Sequence, residues 1–423
     1  NNAQAVAKEM DQIDEHLDKM VKLAKRGDEQ ARQELQNMTK GLVAADGDAS
    51  KIVSFNALGY RIGFGNALRM MYNSILSGPL SHARNIAGNL GTMVLRPATM
   101  ALGQTLEGDF DKAAASFASL GAVMESFTEA MTVASRTWST GVPTGGSAKF
   151  DLRTAEALKD VEAMKAAAVT DSQKRAANFL EQMYNFSNSK FMTAPTRALS
   201  AGDDFFKIMN ARIELKRQAY METLSNDGIL KFDPDVYARI AKEKIDENGT
   251  ILDDGLLKIT KEQTFQQELQ GTMASIANVL EENPTMKYFV PFVKTPHNLM
   301  VYSASHMPIL NRFLKESQAI RGGTDEAAKA MLKGRVALGY VVLGTGMALA
   351  SQGLLTGNGP ADPELNKIWR RNNQPMSIKI GGKFFSYASI EPLNLVFSLA
   401  ADLAQTGSYL PEGEYDRLLV QLQ

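Results

Sequence analysis

Three adjacent carboxylate pairs, Asp203-Asp204, Asp253-Asp254 and Glu281-Glu282, are the first residues of this chain that chemistry could use. General acid–base catalysis needs two such groups converging from separate elements in a cleft that drives their pKa values apart. Neighbours on one helix point about 100° away from each other, so these pairs alone make no catalytic dyad. His16, His82, His297 and His306 are scattered, and none belongs to an H-x-H or H-x-x-x-H pair that could grip a metal. Cysteine is absent, which removes thiolate nucleophiles, Cys-based zinc sites and disulfides. The run "GTGMAL" lacks the third glycine of a dinucleotide loop, and neither G-x-x-x-x-G-K-[ST] nor G-x-S-x-G occurs. The chain is therefore expected not to be an enzyme, with no catalytic residue, no metal and no cofactor.

Basic residues gather at Arg212/Lys216/Arg217, at Arg312/Lys315 and at Lys367/Arg370/Arg371. Trp369 lies within the last group. Lys367, Trp369, Arg370 and Arg371 are thus candidate contacts for DNA or a partner, because a ring among cations can stack a base. Acidic residues interleave throughout, and a solvated charged face is the competing reading. With 46 basic and 47 acidic residues, the formal net charge is −1, so no global field attracts nucleic acid.

The elements that would position these residues are helical. Apolar residues recur at helical spacing along most of the 423 residues, and the fold class expected is all-α, an elongated multi-helix assembly with one small β-hairpin near residues 377–387. The divisions expected are a helical region at 1–138, a flexible linker at 139–150 ("STGVPTGGSAKF"), a central helical region at 151–320, and a C-terminal region at 321–423. Gly78-Pro79 should end one helix, Arg96-Pro97 should cut the next, and Thr264–Glu282 should be helical. Neither end of the chain reads as a natural terminus, so a segment of a longer polypeptide is expected.

Val336 to Ala361 holds no charged residue, and its core "VALGYVVLGTGMALASQGLL" is 20 residues long. That is enough to cross a membrane, and its glycines would permit close helix approach. A buried core helix and an insertion conditional on assembly fit the same residues. Val336, Leu338, Tyr340, Val341, Val342, Leu343, Met347, Leu349, Leu354 and Leu355 are the candidate membrane or subunit contacts.

"SIKIGGKFFSYASIEP" breaks the helical pattern. Its strands are expected at Ser377–Ile380 and Lys383–Tyr387, joined by a tight primed turn at Gly381 and Gly382. Ile378 and Ile380, against Phe384 and Tyr387, would cover the apolar helices on either side.

In context, "GLLTGNGPADPELNKIWRRNNQPMSIKIGGKFFSYASIEPLNLVFSLAADLA" resembles the C-terminal region of large internal virion (DNA-ejection) proteins of short-tailed bacteriophages. The resemblance runs from Gly359-Pro360-Ala361-Asp362-Pro363, through Ile368-Trp369-Arg370 and the hairpin, to Glu391-Pro392 and a further apolar helix. "GPLSHARNIAGNL" and "TAPTRALSAGDDFFKIMNARIELKRQAY" are similar to such proteins more loosely. The resemblance implies a protein packed in the capsid interior with the genome and expelled into the host periplasm and inner membrane, where it helps form a DNA conduit. It implies as partners other ejection proteins, portal or tail components and the passing double-stranded DNA, and a homo-oligomer is expected. A capsid-core or scaffold protein without an ejection role, and a membrane-pore protein, are the alternatives.

Overall fold

The computed structural model describes residues 49–144, 154–282, 292–388 and 393–407, with parts of 19–32. Fifteen α-helices, two short 3-10 turns (Ser119–Gly121 and Leu310–Phe313) and one small antiparallel sheet stand among the described residues, so the fold is all-α with a β-hairpin. Two compact units emerge: residues 1–73 with 152–194, and residues 74–151 with 195–423. This grouping interleaves segments that a linear reading separates at 139–150. Most of the first 48 residues of the expected N-terminal helical region, and residues 145–150 of the linker, lie outside the described residues.

The first unit is built from α1 (Ala49–Leu76), α5 (Thr154–Ala167) and α6 (Asp171–Ser187). Phe55, Ile62, Val161, Met164, Ala177 and Tyr184 form its core. Thr170 starts α6 with a reciprocal capping box, its hydroxyl accepting from the Gln173 amide while the Gln173 side chain accepts from the Thr170 amide. The buried Arg69 donates to Asn66 Oδ1 and Ser187 Oγ, each at 3.1 Å, and lies over the Tyr184 ring.

The second unit contains α2 (Pro79–Leu106), α3 (Phe110–Ala118) and α4 (Ala122–Thr140), and most of α7 (Lys190–Asp227). After these come α8 (Pro234–Lys244), α9 (Asp254–Gln263), α10 (Thr272–Glu282), α11 (Lys294–Ser305), α12 (Lys315–Gly322) and α13 (Glu326–Ser351). Strand β1 (Leu355–Thr356), α14 (Pro363–Trp369), β2 (Ser377–Ile380), β3 (Lys383–Ser386) and α15 (Asn394–Gly407) complete it. Pro79 sits at the first turn of α2, where its missing N–H costs nothing. Asp233, Asp253, Asp325 and Asp362 accept from free amides at the starts of α8, α9, α13 and α14.

Two expectations about helix ends are corrected. Pro97 does not cut α2, which runs through it, because the helix is held by burial of Asn89, Thr92, Met93, Met100 and Ala101 along one face. Thr264–Gly271 is not helical: Phe265 adopts φ 55°, ends α9 and seats its ring edge-on against Tyr302. Burial of that ring outweighs the local helical pattern.

Sheet order is β1-β2-β3, antiparallel throughout. Ile378 pairs with Phe385 and Lys379 with Phe384, while Leu355 pairs with Ile378 on the other side. Gly381 and Gly382 take φ 57° and 80°, the two positive values a type I′ turn requires. The expected facing of the hairpin is corrected here. Phe384 stands on the Lys379 face, with the ammonium 5.5 Å from its ring, and Ile380 is exposed at the turn. Only Ile378 and Tyr387 join the cluster beneath, with Ala350, Leu355 and Ala401. Strand β1, which the sequence did not announce, ties the hairpin down at its base and leaves the tip exposed.

Candidate functional site

Helix α13 is the centre of the site because it packs on α2 on one side and α15 on another. Val342 is 7% exposed, set among Met307 and Val396 with Leu338 beside it. Leu349 packs against the Ala350–Leu355–Tyr387–Ala401 cluster, and Leu355 lies in β1. Val336, Leu343, Met347 and Leu354 are half-buried. Tyr340 and Val341 are 39% and 59% exposed. The candidate residues therefore divide between a packed face and an open one. By length and composition α13 could cross a membrane, yet two glycines of its uncharged stretch are spent on protein: a Cβ on Gly339 would stand 1.7 Å from the His306 carbonyl oxygen, and one on Gly346 would stand 2.6 Å from the Ala400 Cβ.

The loop after β1 is pinned to α15 by Asp402. Its carboxylate accepts from the Asn358 amide at 2.8 Å and from Asn358 Nδ2 at 3.1 Å. Gly357 comes so close that an added Cβ would meet Asp402 Oδ1 at 1.9 Å. Gly359 takes φ 81° beneath the Trp369 ring, which leaves no room for a side chain. Asn366 of α14 closes the arrangement by donating to the carbonyls of Asn358 and Pro360. On the far side, the Tyr387 hydroxyl donates to the Thr356 carbonyl at 2.7 Å. Burial and the nearby Asp402 carboxylate push that phenol above the usual tyrosine range. Met376 holds φ 46° where its amide donates to the Gly357 carbonyl, a strained position for a non-glycine residue.

Of the basic candidates, Lys367 pairs with Glu364 at 2.7 Å and Arg370 donates to Asn366. Trp369 is half-buried against Gly359 rather than open for stacking, while Arg370 and Arg371 are exposed. The other large cluster is consumed internally: Arg212 pairs with Glu129, Lys216 with Glu125 and Arg217 with Glu214. Burial alone would raise Glu214, but the Arg217 guanidinium reverses that and holds it at about 2.

Asp203 and Asp204 are both buried and both structural. Asp204 accepts from Thr137 Oγ1 at 2.6 Å, from the Thr144 amide at 2.8 Å and from Lys207 Nζ at 3.3 Å, fastening the chain after α4 to α7. Asp203 accepts from Gln266 Nε2 and Asn85 Nδ2. Asp253 is a helix cap, and the Glu281 and Glu282 side chains lie outside the described ones. Among the described residues, no group of three or more His, Asp or Glu side chains gathers as metal donors.

What sequence reading missed is the buried ionic knot around Glu262. Arg335 pairs with Glu262, Arg96 approaches it at 3.5 Å, and the Arg335 guanidinium lies over the Tyr302 ring. Burial would raise the Glu262 carboxyl, but Arg335 and Arg96 together hold it below the usual range. His306, against Tyr302, is driven down to about 4 by burial and then by the Arg335 charge. Its Nδ1 lies 2.9 Å from the Tyr302 carbonyl, so Nδ1 carries the proton and Nε2 has no partner. Arg335 sits at the start of the uncharged stretch, and that position was the only hint available. Compared with protein-family models, with curated proteins and with solved structures, the chain matches none.

Proposed function

We propose that this chain is a segment of an internal virion protein, packed in the capsid and expelled to help carry DNA across the host envelope. One observation supports the reading above others. The residues of the phage-like block meet in a single packed unit, with Trp369 on Gly359, Asp402 on Asn358 and Tyr387 on Thr356. Contacts between the block's own residues hold it as one folded piece, which supports reading it as a unit rather than as a chance string of helix-formers.

The cysteine-free sequence agrees with passage through a narrow tail, since no disulfide locks the chain against unfolding. The near-zero net charge agrees with a wall that lets DNA slide, because each neutralised phosphate would add salt-dependent grip. Val341, on the open face of α13, would meet a neighbouring subunit or lipid.

The test is protease protection of purified phage particles. The chain should resist external protease in intact virions and become cleavable once the capsid is opened. Cleavage in intact particles would place it on the shell surface and remove the reading.

A further inference from the structure

We propose that a groove on α13 binds a single-chain anionic amphiphile, with its chain along Leu332, Val336 and Tyr340 and its head group among Arg321, Lys329 and Lys333. The groove has a volume of about 510 Å³, within the roughly 300–1,000 Å³ of small-ligand sites. Leu106, at the end of α2, forms its opposite wall.

Helix geometry explains the division of labour. Leu332, Val336 and Tyr340 recur every four residues and make one apolar row, and Lys329 and Lys333 recur along the adjacent row. From Lys329 to Tyr340 the helix rises roughly 16 Å, enough for an extended acyl chain. The cations therefore lie toward one end of an apolar trough, the arrangement an amphiphile with a carboxylate or phosphate head would match.

Those cations are open to exchange. Lys333 holds Glu107 at 2.8 Å and Lys329 holds Glu326 at 2.9 Å, and each pair keeps one partner, Lys333 or Glu326, in solvent, which weakens it. Arg321 donates one N–H to the Asn311 amide oxygen at 2.8 Å, which leaves its charge to attract an anion. Three cations and no acid line the groove itself. This site is independent of any ejection role.

Titration of the full chain with cis-parinaric acid tests the proposal. Its fluorescence should rise to saturation at one site per chain. Dodecanoate should displace it, and dodecyl maltoside, with the same chain but no charge, should do so at least about fivefold more weakly. Lys333→Glu changes an exposed side chain and should weaken the probe roughly fivefold or more. Ala337→Trp should fill the trough and abolish binding while the helical circular-dichroism signal stays unchanged; if that variant does not fold, Lys333→Glu decides. Absence of saturation, or wild-type binding by Lys333→Glu, overturns the proposal. So does a signal that needs phosphatidylglycerol vesicles and is equal in both chains, because the bilayer alone would then explain it.

Discussion

Gly334 of α13 lies so close to Thr99 of α2 that a Cβ added to it would stand 1.9 Å from the Thr99 carbonyl oxygen. One turn along, Gly103 has the same relation to Ala330, whose carbonyl oxygen would be 1.8 Å from an added Cβ. Thr99/Gly103 and Ala330/Gly334 form a small-x-x-x-small crossing in which two backbones touch. Gly334 stands just ahead of the uncharged stretch, and the close helix approach it permits is made inside the protein.

Opposite responses are expected from two glycines of this one helix. Gly334→Val should destabilise by more than about 3 kcal/mol, since backbone atoms cannot yield to a new side chain. Gly344 has nothing within 4 Å of an added Cβ, so Gly344→Ala should stabilise by roughly 0.5–1 kcal/mol. Urea denaturation reads both, and equal effects would refute the crossing.

Removing the charge at the centre of the buried knot should be costly. Glu262→Gln takes the nearest counter-ion from Arg335 and Arg96 and should cost roughly 3–5 kcal/mol. Combining it with Arg335→Met should recover part of that loss. A double variant no better than the single one would show that the pair is not coupled.

Acid should weaken the fold through His306. Its folded pKa of about 4 lies below the ordinary 6.5, so the unfolded chain binds the extra proton between those values. Stability from this group is complete above pH 6.5 and declines as pH falls toward 4, by on the order of 3 kcal/mol. Glu262, also held low, acts in the same direction at more acid pH. His306→Gln should flatten the loss between pH 6.5 and 4 in thermal melts; an unchanged slope would exclude His306 as its source.

The loop cradle is visible through one of the chain's two tryptophans. In a Trp138→Phe background, Gly359→Ala should shift Trp369 emission to the red, since the new methyl would stand 2.7 Å from the ring and the positive φ keeps the backbone from accommodating it without strain. An unshifted spectrum would mean the ring does not rest on Gly359.

Val341 and Val342 are neighbours with different predicted fates. Val342→Asp buries an unpaired charge between Met307 and Val396 and should cost several kcal/mol, lowering the thermal midpoint. Val341→Asp, on the open face, should fold normally and lose self-association or membrane insertion. Normal sedimentation and liposome binding by Val341→Asp would free that face of any role.

The all-α class and the primed turn were legible in the sequence because each rests on local chemistry. Pro97 and the Thr264–Gly271 segment were misread because tertiary burial decided them: the buried face of α2 carried the helix past Pro97, and Tyr302 drew Phe265 out of helical φ. The hairpin faces were misassigned although the two-residue turn already fixes them: with Ile380 opposite Lys383, Phe384 must share a face with Lys379, not with Ile378. Strand β1, two residues long, has too little periodicity to be seen. The Glu262 knot joins residues far apart in the chain, and no local pattern connects Arg96, Glu262, His306 and Arg335.

Expulsion is the central claim, and fractionation of infected cells measures it directly. After DNA release, the chain should leave the emptied particles and appear in the host envelope fraction, as followed by quantitative mass spectrometry against a shell protein. Recovery of the whole chain with the emptied particles, while DNA has entered the cell, would contradict the account.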